Sequence, residues 1–357
     1  MSGIIGLIRR LPEGYEEACF ETGAITRKRG ISDPNDLMYL CMMHMLYGCS
    51  LLEVAAIARM NKMGEFSDVA FKKRFSKCVG WFQWICEHIL PKEVMEYGMP
   101  EWLSGYRVLA VDASDVQEKG RSQRIYRLHL ALDIFKARVA EHRITTNKTG
   151  ETLRNFEFKP GDLVIADRAY SSINGIAYCL DKGARVIARV RSCGATLYDH
   201  CGNKIDILST MQRLGSGEVK GYLKDKDRKL DVRICFKRKT EEQIQESEKR
   251  VKRVADRKKK NLQQSTLDFN GFIVLMTNLP DSVSYEAILD LYRLRWQVEM
   301  YFKRLKSILS YGELPKKTEQ SSLAWINGKI MLALLLERFM ADSFFPPEAE
   351  SESQFMA

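Results

Sequence analysis

Two aspartates, Asp112 and Asp167, each follow directly on a short apolar run, Val108-Leu109-Ala110-Val111 and Leu163-Val164-Ile165-Ala166. Such runs read as buried strands, so each carboxylate would project from the exposed end of one. In an open mixed sheet those ends line the usual site crevice. An aspartate in that place also serves simply to cap a strand or open a turn, but matching places on two strands favour a shared site. A third acid, Glu299, stands in a helical stretch with Tyr292, Arg295 and Lys306, at steps of 3, 4 and 7 residues. At about 100° per residue all four fall on one narrow face. That face offers a carboxylate flanked by a phenol, a guanidinium and an ammonium. Spacing alone favours a plain intrahelical Arg295–Glu299 ion pair, contributing roughly 0.2–0.5 kcal/mol.

The elements that must hold these residues are legible in outline. From about 34 to 97 the pattern is helical, with Leu37, Leu40, Cys41 and His44 followed by Leu51, Val54, Ala55 and Ile57, and with Ser50 placed as an N-cap. After a turn containing Gly64, Ser67-Asp68 opens a second helix bearing Lys72, Lys73, Arg74 and Lys77. That is the outline of a helix-turn-helix with a basic second helix, and equally of an ordinary helical hairpin with a solvated face. Gly98 to Gly105 breaks the helical pattern. Strands are then predicted over 107–111, 124–134 and 137–146, a short helix near Thr149 to Asn155, a strand over 163–166, a helix capped by Ser171 or Ser172 and ended by Gly183, and a fifth strand over 185–190. That order is the topology of a ribonuclease-H-like mixed sheet. Beyond Cys193 the periodicity weakens, with strand-like pieces at 218–223 and 230–236. Lys237 to Lys260 carries 11 basic against 5 acidic residues, which reads either as a solvated helix or as a phosphate-tracking surface. A strand over Phe272 to Thr277, a long helix capped by Ser284 and running to about Leu309, and an apolar helix over 321–339 complete the pattern.

Tyr292, Arg295, Glu299 and Lys306 match, position for position, a Y-(2)-R-(3)-E-(6)-K motif. In this the chain resembles the DDE transposases of the fourth insertion-sequence family. Asp112-Ala113-Ser114 is similar to that family's first-aspartate motif, with Ala113 where glycine is usual, and Asp167-Arg168-Ala169-Tyr170 resembles its second. His129 to Asp133 resembles a further strand pattern of the family, and the likeness spans roughly Arg107 to Leu309.

The resemblance implies an α/β fold: a ribonuclease-H-like mixed sheet with a mainly β insertion, preceded by a helical N-terminal domain. The expected division is a helical DNA-binding domain over 1–99, the first part of the core over 100–192, the insertion over 193–278, C-terminal helices completing the core over 279–345, and an acidic tail over 346–357. It further implies that Asp112, Asp167 and Glu299 are the catalytic and metal-ligating residues. Mg2+ or Mn2+ would be the cofactor, two ions per active site, because cleavage and strand transfer are both in-line displacements at phosphorus. Carboxylates supply the hard oxygen donors such ions prefer, and three clustered together repel, so at least one should titrate above its ordinary value. Arg295 and Lys306 suit phosphate contacts. Tyr292 is expected on a phosphate or sugar, Arg168 on the adjacent backbone, and Lys72, Lys73 and Arg74 on the duplex.

Some relatives cut by a hairpin route that stacks a flipped base on an aromatic of the insertion. The five tryptophans here, Trp81, Trp84, Trp102, Trp296 and Trp325, all lie outside it. Phe272 is left as a candidate stacker or a core residue. The expected activity is cut-and-paste transposition, in which terminal inverted repeats are bound and cleaved and their 3′ ends joined to a target. The partner is double-stranded DNA, and the assembly a homodimer or higher. A nuclease without strand transfer and an inactive site-specific DNA-binding relative are the rivals.

Composition agrees. The chain of 357 residues has 56 Lys+Arg against 46 Asp+Glu, a formal charge of +10, which favours a polyanionic partner. Hydrophobic residues at 45% exclude a disordered chain. Nine scattered cysteines without a Cys-x-x-Cys pair read as reduced thiols, not a disulfide framework or zinc site. Arg9-Arg10 follows the short apolar run Ile4 to Ile8, the wrong order for a signal peptide, and no apolar run reaches the roughly 18 residues of a membrane span. A cytoplasmic, nucleoid-associated prokaryotic protein is the expectation.

Overall fold

A computed structural model describes residues 2–27, 30–89, 99–118, 124–136, 138–191, 196–226, 228–257, 259, 261–309, 313–314 and 318–344. The expected acidic tail lies outside them, as do Cys193 and the basic residues Lys258 and Lys260. Six helices come first: α1 (Ser2–Ile8), α2 (Tyr15–Glu21), α3 (Pro34–Leu46), α4 (Leu51–Met60), α5 (Asp68–Lys77) and α6 (Val79–His88). The caps explain where they begin. Asp33 accepts from the Asn35 N–H with Pro34 at the first helical position, Ser50 and Glu53 form a reciprocal capping box, and Ser67 accepts from the Ala70 N–H. On α5, Phe71 and Phe75 lie one turn apart and are buried, which turns Lys72, Lys73 and Lys77 to solvent. The seven-residue helices α1 and α2 carry too few turns for a periodic signal and are not expected from the sequence.

The remaining elements are β1 (Arg107–Glu118), β2 (Arg124–Asp133), β3 (Arg138–Thr146), β4 (Asp162–Ala166), α7 (Ile173–Asp181), β5 (Arg185–Arg189), α8 (Ile207–Leu214), β6 (Ser216–Asp225), β7 (Arg228–Arg238), α9 (Glu241–Arg257), α10 (Gln264–Asn270), β8 (Phe272–Thr277), α11 (Tyr285–Tyr292), α12 (Trp296–Leu309), β9 (Glu313–Leu314) and α13 (Glu319–Phe344). The strands form one sheet in the order β3-β2-β1-β4-β5-β8-β7-β6, with β9 beside the end of β1. β1, β4 and β5 run parallel, whereas β5, β8, β7 and β6 pair antiparallel. Every residue of β4 is buried, as a strand inside a parallel region covered on both faces requires. Full burial of Leu163, Val164 and Ile165 contributes roughly 1.5–3 kcal/mol each. This is an α/β architecture with a mixed sheet of the ribonuclease-H-like kind.

Three expectations change in detail. β1 does not stop at Asp112; buried Ser114 and Val116 continue its alternation to Glu118. The helix near Thr149 to Asn155 is a single 3₁₀ turn, Leu153–Asn155. The long helix after Ser284 is two helices, α11 and α12, joined by a 3₁₀ turn over Arg293–Arg295. The stretch expected as an insertion, 193–278, contributes β6, β7 and β8 to the central sheet, along with α8, α9 and α10.

Two compact units divide the chain. Met1–Met95, Asp115–Tyr126 and Tyr301–Ala357 form one, with a core that includes Leu37, Leu40, Phe71, Phe75, Trp81, Phe82, Ile326 and Ile330. Glu96–Ser114 and Arg127–Met300 form the other, which holds most of the sheet. No described helix is long and apolar enough to cross a membrane.

Candidate active site

Strand register places the two aspartates. The last paired residues of the β1–β4 ladder are Val111 and Ala166, and Ala166 pairs in turn with Ala188 of β5. Asp112, Asp167 and Arg189 are therefore the next residues on three adjacent parallel strands. Val111, Ala166 and Ala188 belong to one hydrophobic core cluster, so the residues that follow point to the opposite face. Adjacent strands lie about 4.8 Å apart, which brings the two carboxylates side by side. Asp112 Oδ1 accepts from the Ala113 N–H at 2.8 Å. Burial pushes the Asp112 carboxyl up to about 6; the Ala113 N–H and Arg295 oppose this, while the charges of Glu299 and Asp167 add to it. All three acids belong to the same compact unit.

The helical side of the site survives the 3₁₀ turn. Tyr292, Arg293 and Trp296 keep right-handed helical backbone angles, so the chain carries its face through the change of pitch. Arg295 is ion-paired with Glu299, with the arginine side chain 14% exposed and the glutamate 52%. The Arg295 guanidinium carbon lies 5.9 Å from the centroid of the Tyr292 ring. The Tyr292 hydroxyl is buried without a well-formed hydrogen bond. Burial, and then the charge of Asp167, push its pKa up to about 12. Lys306 is exposed farther along α12, in the helical unit.

Arg168 is half-buried, and its Nη1 donates to Asn270 Oδ1 at 3.2 Å. Burial, followed by the neighbouring charge of Arg189, holds it below the usual guanidinium range. In the helical unit Lys72 and Lys73 are exposed on α5, whereas Arg74 is half-buried and donates to the Arg27 carbonyl at 3.3 Å. Phe272 is 5% exposed and belongs to the core cluster, the second of its two readings. Trp296, at 53% exposure, is the large aromatic left open on the motif helix.

Two further basic residues of this region, Arg189 and Lys239, are not singled out by the sequence. Arg189 ends the run Val186-Ile187-Ala188 just as the aspartates end theirs, and that parallel was the available signal. Lys239 lies in the Lys237 to Lys260 run, whose composition suits a phosphate-tracking surface or a solvated helix but does not single it out. Its Nζ donates to the Asn270 carbonyl and, at 3.1 Å, to Ser247 Oγ.

The acids suit a hard divalent cation in donor type. Asp112 is a half-buried carboxyl raised first by burial and then by the charges of Glu299 and Asp167, an environment that a bound cation would relieve. The third acid is neutralised by Arg295, and among the described residues no group of three His, Cys, Asp or Glu stands ready-made for a metal ion.

Similarity to known proteins covers the same residues. Residues 103–336 match the transposase DDE domain family, a segment containing Asp112, Asp167 and Glu299. The chain is 30% identical over 349 residues to the InsL protein of insertion sequence element IS186A from Escherichia coli (strain K12), covering 95% of this chain and 94% of that one. It is 29% identical over 350 residues to the transposase for insertion sequence element IS421 of Escherichia coli, with coverage of 95% and 94%. It is 24% identical over 374 residues to the transposase for insertion sequence element IS231F of Bacillus thuringiensis subsp. israelensis, with coverage of 92% and 77%. Taken with the aspartates on neighbouring strands and the helix bearing Glu299, the match over most of its length means that this chain belongs to the DDE transposase family.

Proposed function

We propose that the protein binds the terminal inverted repeats of its element, cleaves the DNA there by metal-dependent phosphodiester hydrolysis, and joins the 3′ ends to target DNA. The observation that carries this reading is the next-in-register placement of Asp112 and Asp167, with Glu299 close enough for its charge to act on Asp112. Asp112, Asp167 and Glu299 would hold Mg2+ or Mn2+, two ions per site, which when bound activate the attacking oxygen and stabilise the leaving one.

The chain's own residues bind and orient the DNA. Arg295 exchanges its Glu299 partner for a phosphate, which frees that carboxylate for its role. The buried Tyr292 hydroxyl, which lacks a well-formed hydrogen bond, donates to a phosphate oxygen. Lys306 adds a point charge to the backbone, and Arg168 positions the segment beside Asp167. Residues 1–99 read the transposon end, with Lys72, Lys73 and Arg74 of α5 on the duplex. Two ends must be paired, so a homodimer or higher assembly is the working state.

The test is a supercoiled plasmid carrying the DNA that borders the coding frame, incubated with Mg2+ and the variants Asp112→Asn, Asp167→Asn and Glu299→Gln. Each is expected to lose about 10²-fold or more in end cleavage while keeping its circular dichroism spectrum. Near-normal cleavage in any one removes that residue from the site. Transfer is read from joining of a labelled 3′-OH end to a second duplex. Cleavage without joining would leave a nuclease.

A further inference from the structure

We propose that Arg168, Arg189 and Lys239 form a phosphate-binding subsite beside the three acids, taking a backbone phosphate of the DNA other than the one being cut. The inference rests on the DNA reading above and deepens it.

Asn270 is the hub of the arrangement. It is 7% exposed, its Nδ2 donates to the Thr266 carbonyl at 2.7 Å, its side-chain oxygen takes Arg168, and its backbone carbonyl takes Lys239. Two cations from distant parts of the chain are thus fastened to one buried residue. Arg189 joins them from the sheet, since it follows Ala188, the register partner of Ala166, while Arg168 follows Asp167. The Arg191 Nε donates to the Arg168 carbonyl at 3.0 Å, which ties the two segments together.

Within the group, Lys239 is the member with no carboxylate acting on it among the described residues. Asp167 acts on Arg168, whereas the charges acting on Lys239 among the described residues are those of the two arginines. Burial, then Arg189 and Arg168, push the Lys239 amine down to about 8. The Nε atoms of Arg168 and Arg189 are buried without hydrogen-bond partners among the described residues. Three half-buried cations and two orphaned donors are costly unless an anion meets them. A phosphate supplies acceptor oxygens for both guanidinium groups and charge for the amine. Arg250, on the exposed helix α9, also acts on Arg168 and widens the positive approach. Because Arg189 lies one strand beyond Asp167, about 4.8 Å away, the subsite stands next to the acids and not upon them.

Two measurements on the full chain test it. Inorganic pyrophosphate, titrated in EDTA so that no metal bridges it to the acids, is expected to raise the melting temperature of the wild type. Lys239→Met should weaken pyrophosphate binding about tenfold or more. Lys239→Arg should retain it, and Lys224→Met, at an exposed position of β6, should match the wild type. In the second measurement, the slope of log affinity for a duplex of about 40 base pairs against log salt should shrink by about one in Lys239→Met and in Arg189→Gln. Unchanged pyrophosphate affinity, or an unchanged slope in a wild type that binds DNA, overturns the subsite. A wild type that binds pyrophosphate here but no DNA overturns the proposed transposase activity instead.

Discussion

Asp112 shows how far side-chain chemistry follows from position. It is half-buried and flanked by two other acids, so its ionised form is disfavoured and its pKa is lifted to about 6. A folded-state pKa above the unfolded one means that Asp112 supports the fold fully at low pH and withdraws that support as pH rises through about 6. Asp112→Asn removes the ionisation. In metal-free buffer the variant should therefore gain about 1–3 kcal/mol on the wild type between pH 4 and pH 8, measured by urea unfolding at both. An equal pH dependence in the two proteins would show that Asp112 titrates like an exposed carboxylate. The acids were legible in the sequence because each ends an apolar run or sits on a periodic face. Lys239 was not, since its environment depends on Asn270, 31 residues away.

Helix starts were the most readable elements, because a cap is written within four residues. Ser50, Ser67, Ser172 and Ser284 each accept from a backbone N–H three residues on. The end of β1 and the change of pitch at Arg293–Arg295 were less readable, since pairing partners and packing decide them. The α4–α5 connection depends on one glycine. Gly64 has φ +142°, and a Cβ there would lie 1.7 Å from the Gly30 carbonyl oxygen. Gly64→Ala should cost about 2–4 kcal/mol by urea unfolding and lose end binding with it. Ser50→Ala, which removes only the α4 cap, should cost about 1 kcal/mol. If the two variants lost equal stability, the close approach at Gly64 would carry no special weight.

Taken whole, the protein is a cation of +10 whose positive residues are spread over both compact units, on α5, on α9 and around the acids. Phosphate contacts release counterions, so affinity for a random duplex should fall steeply between 50 and 200 mM salt, by about 10³-fold or more if six or more contacts form. Fluorescence anisotropy across that range checks it, and a flat response would deny the charge any part in binding. The coarse division into N-terminal helices, a mixed sheet and a helix bearing Glu299 is readable from the sequence. The grouping of Tyr301–Ala357 with the N-terminal helices was not, because it is made by contacts between the two ends of the chain.

Apolar runs, helical periodicity and caps are local, spanning a dozen residues or fewer, and from them the three acids, the motif helix and the basic second helix could be named before any coordinates. Register and desolvation are not local. That Asp112 stands beside Asp167, that Arg189 occupies the next strand, and that Lys239 meets Arg168 over Asn270 all follow from strand pairing and packing among residues far apart in sequence. Folding alone brings those groups together, and their mutual charge in a partly dry environment sets their chemistry.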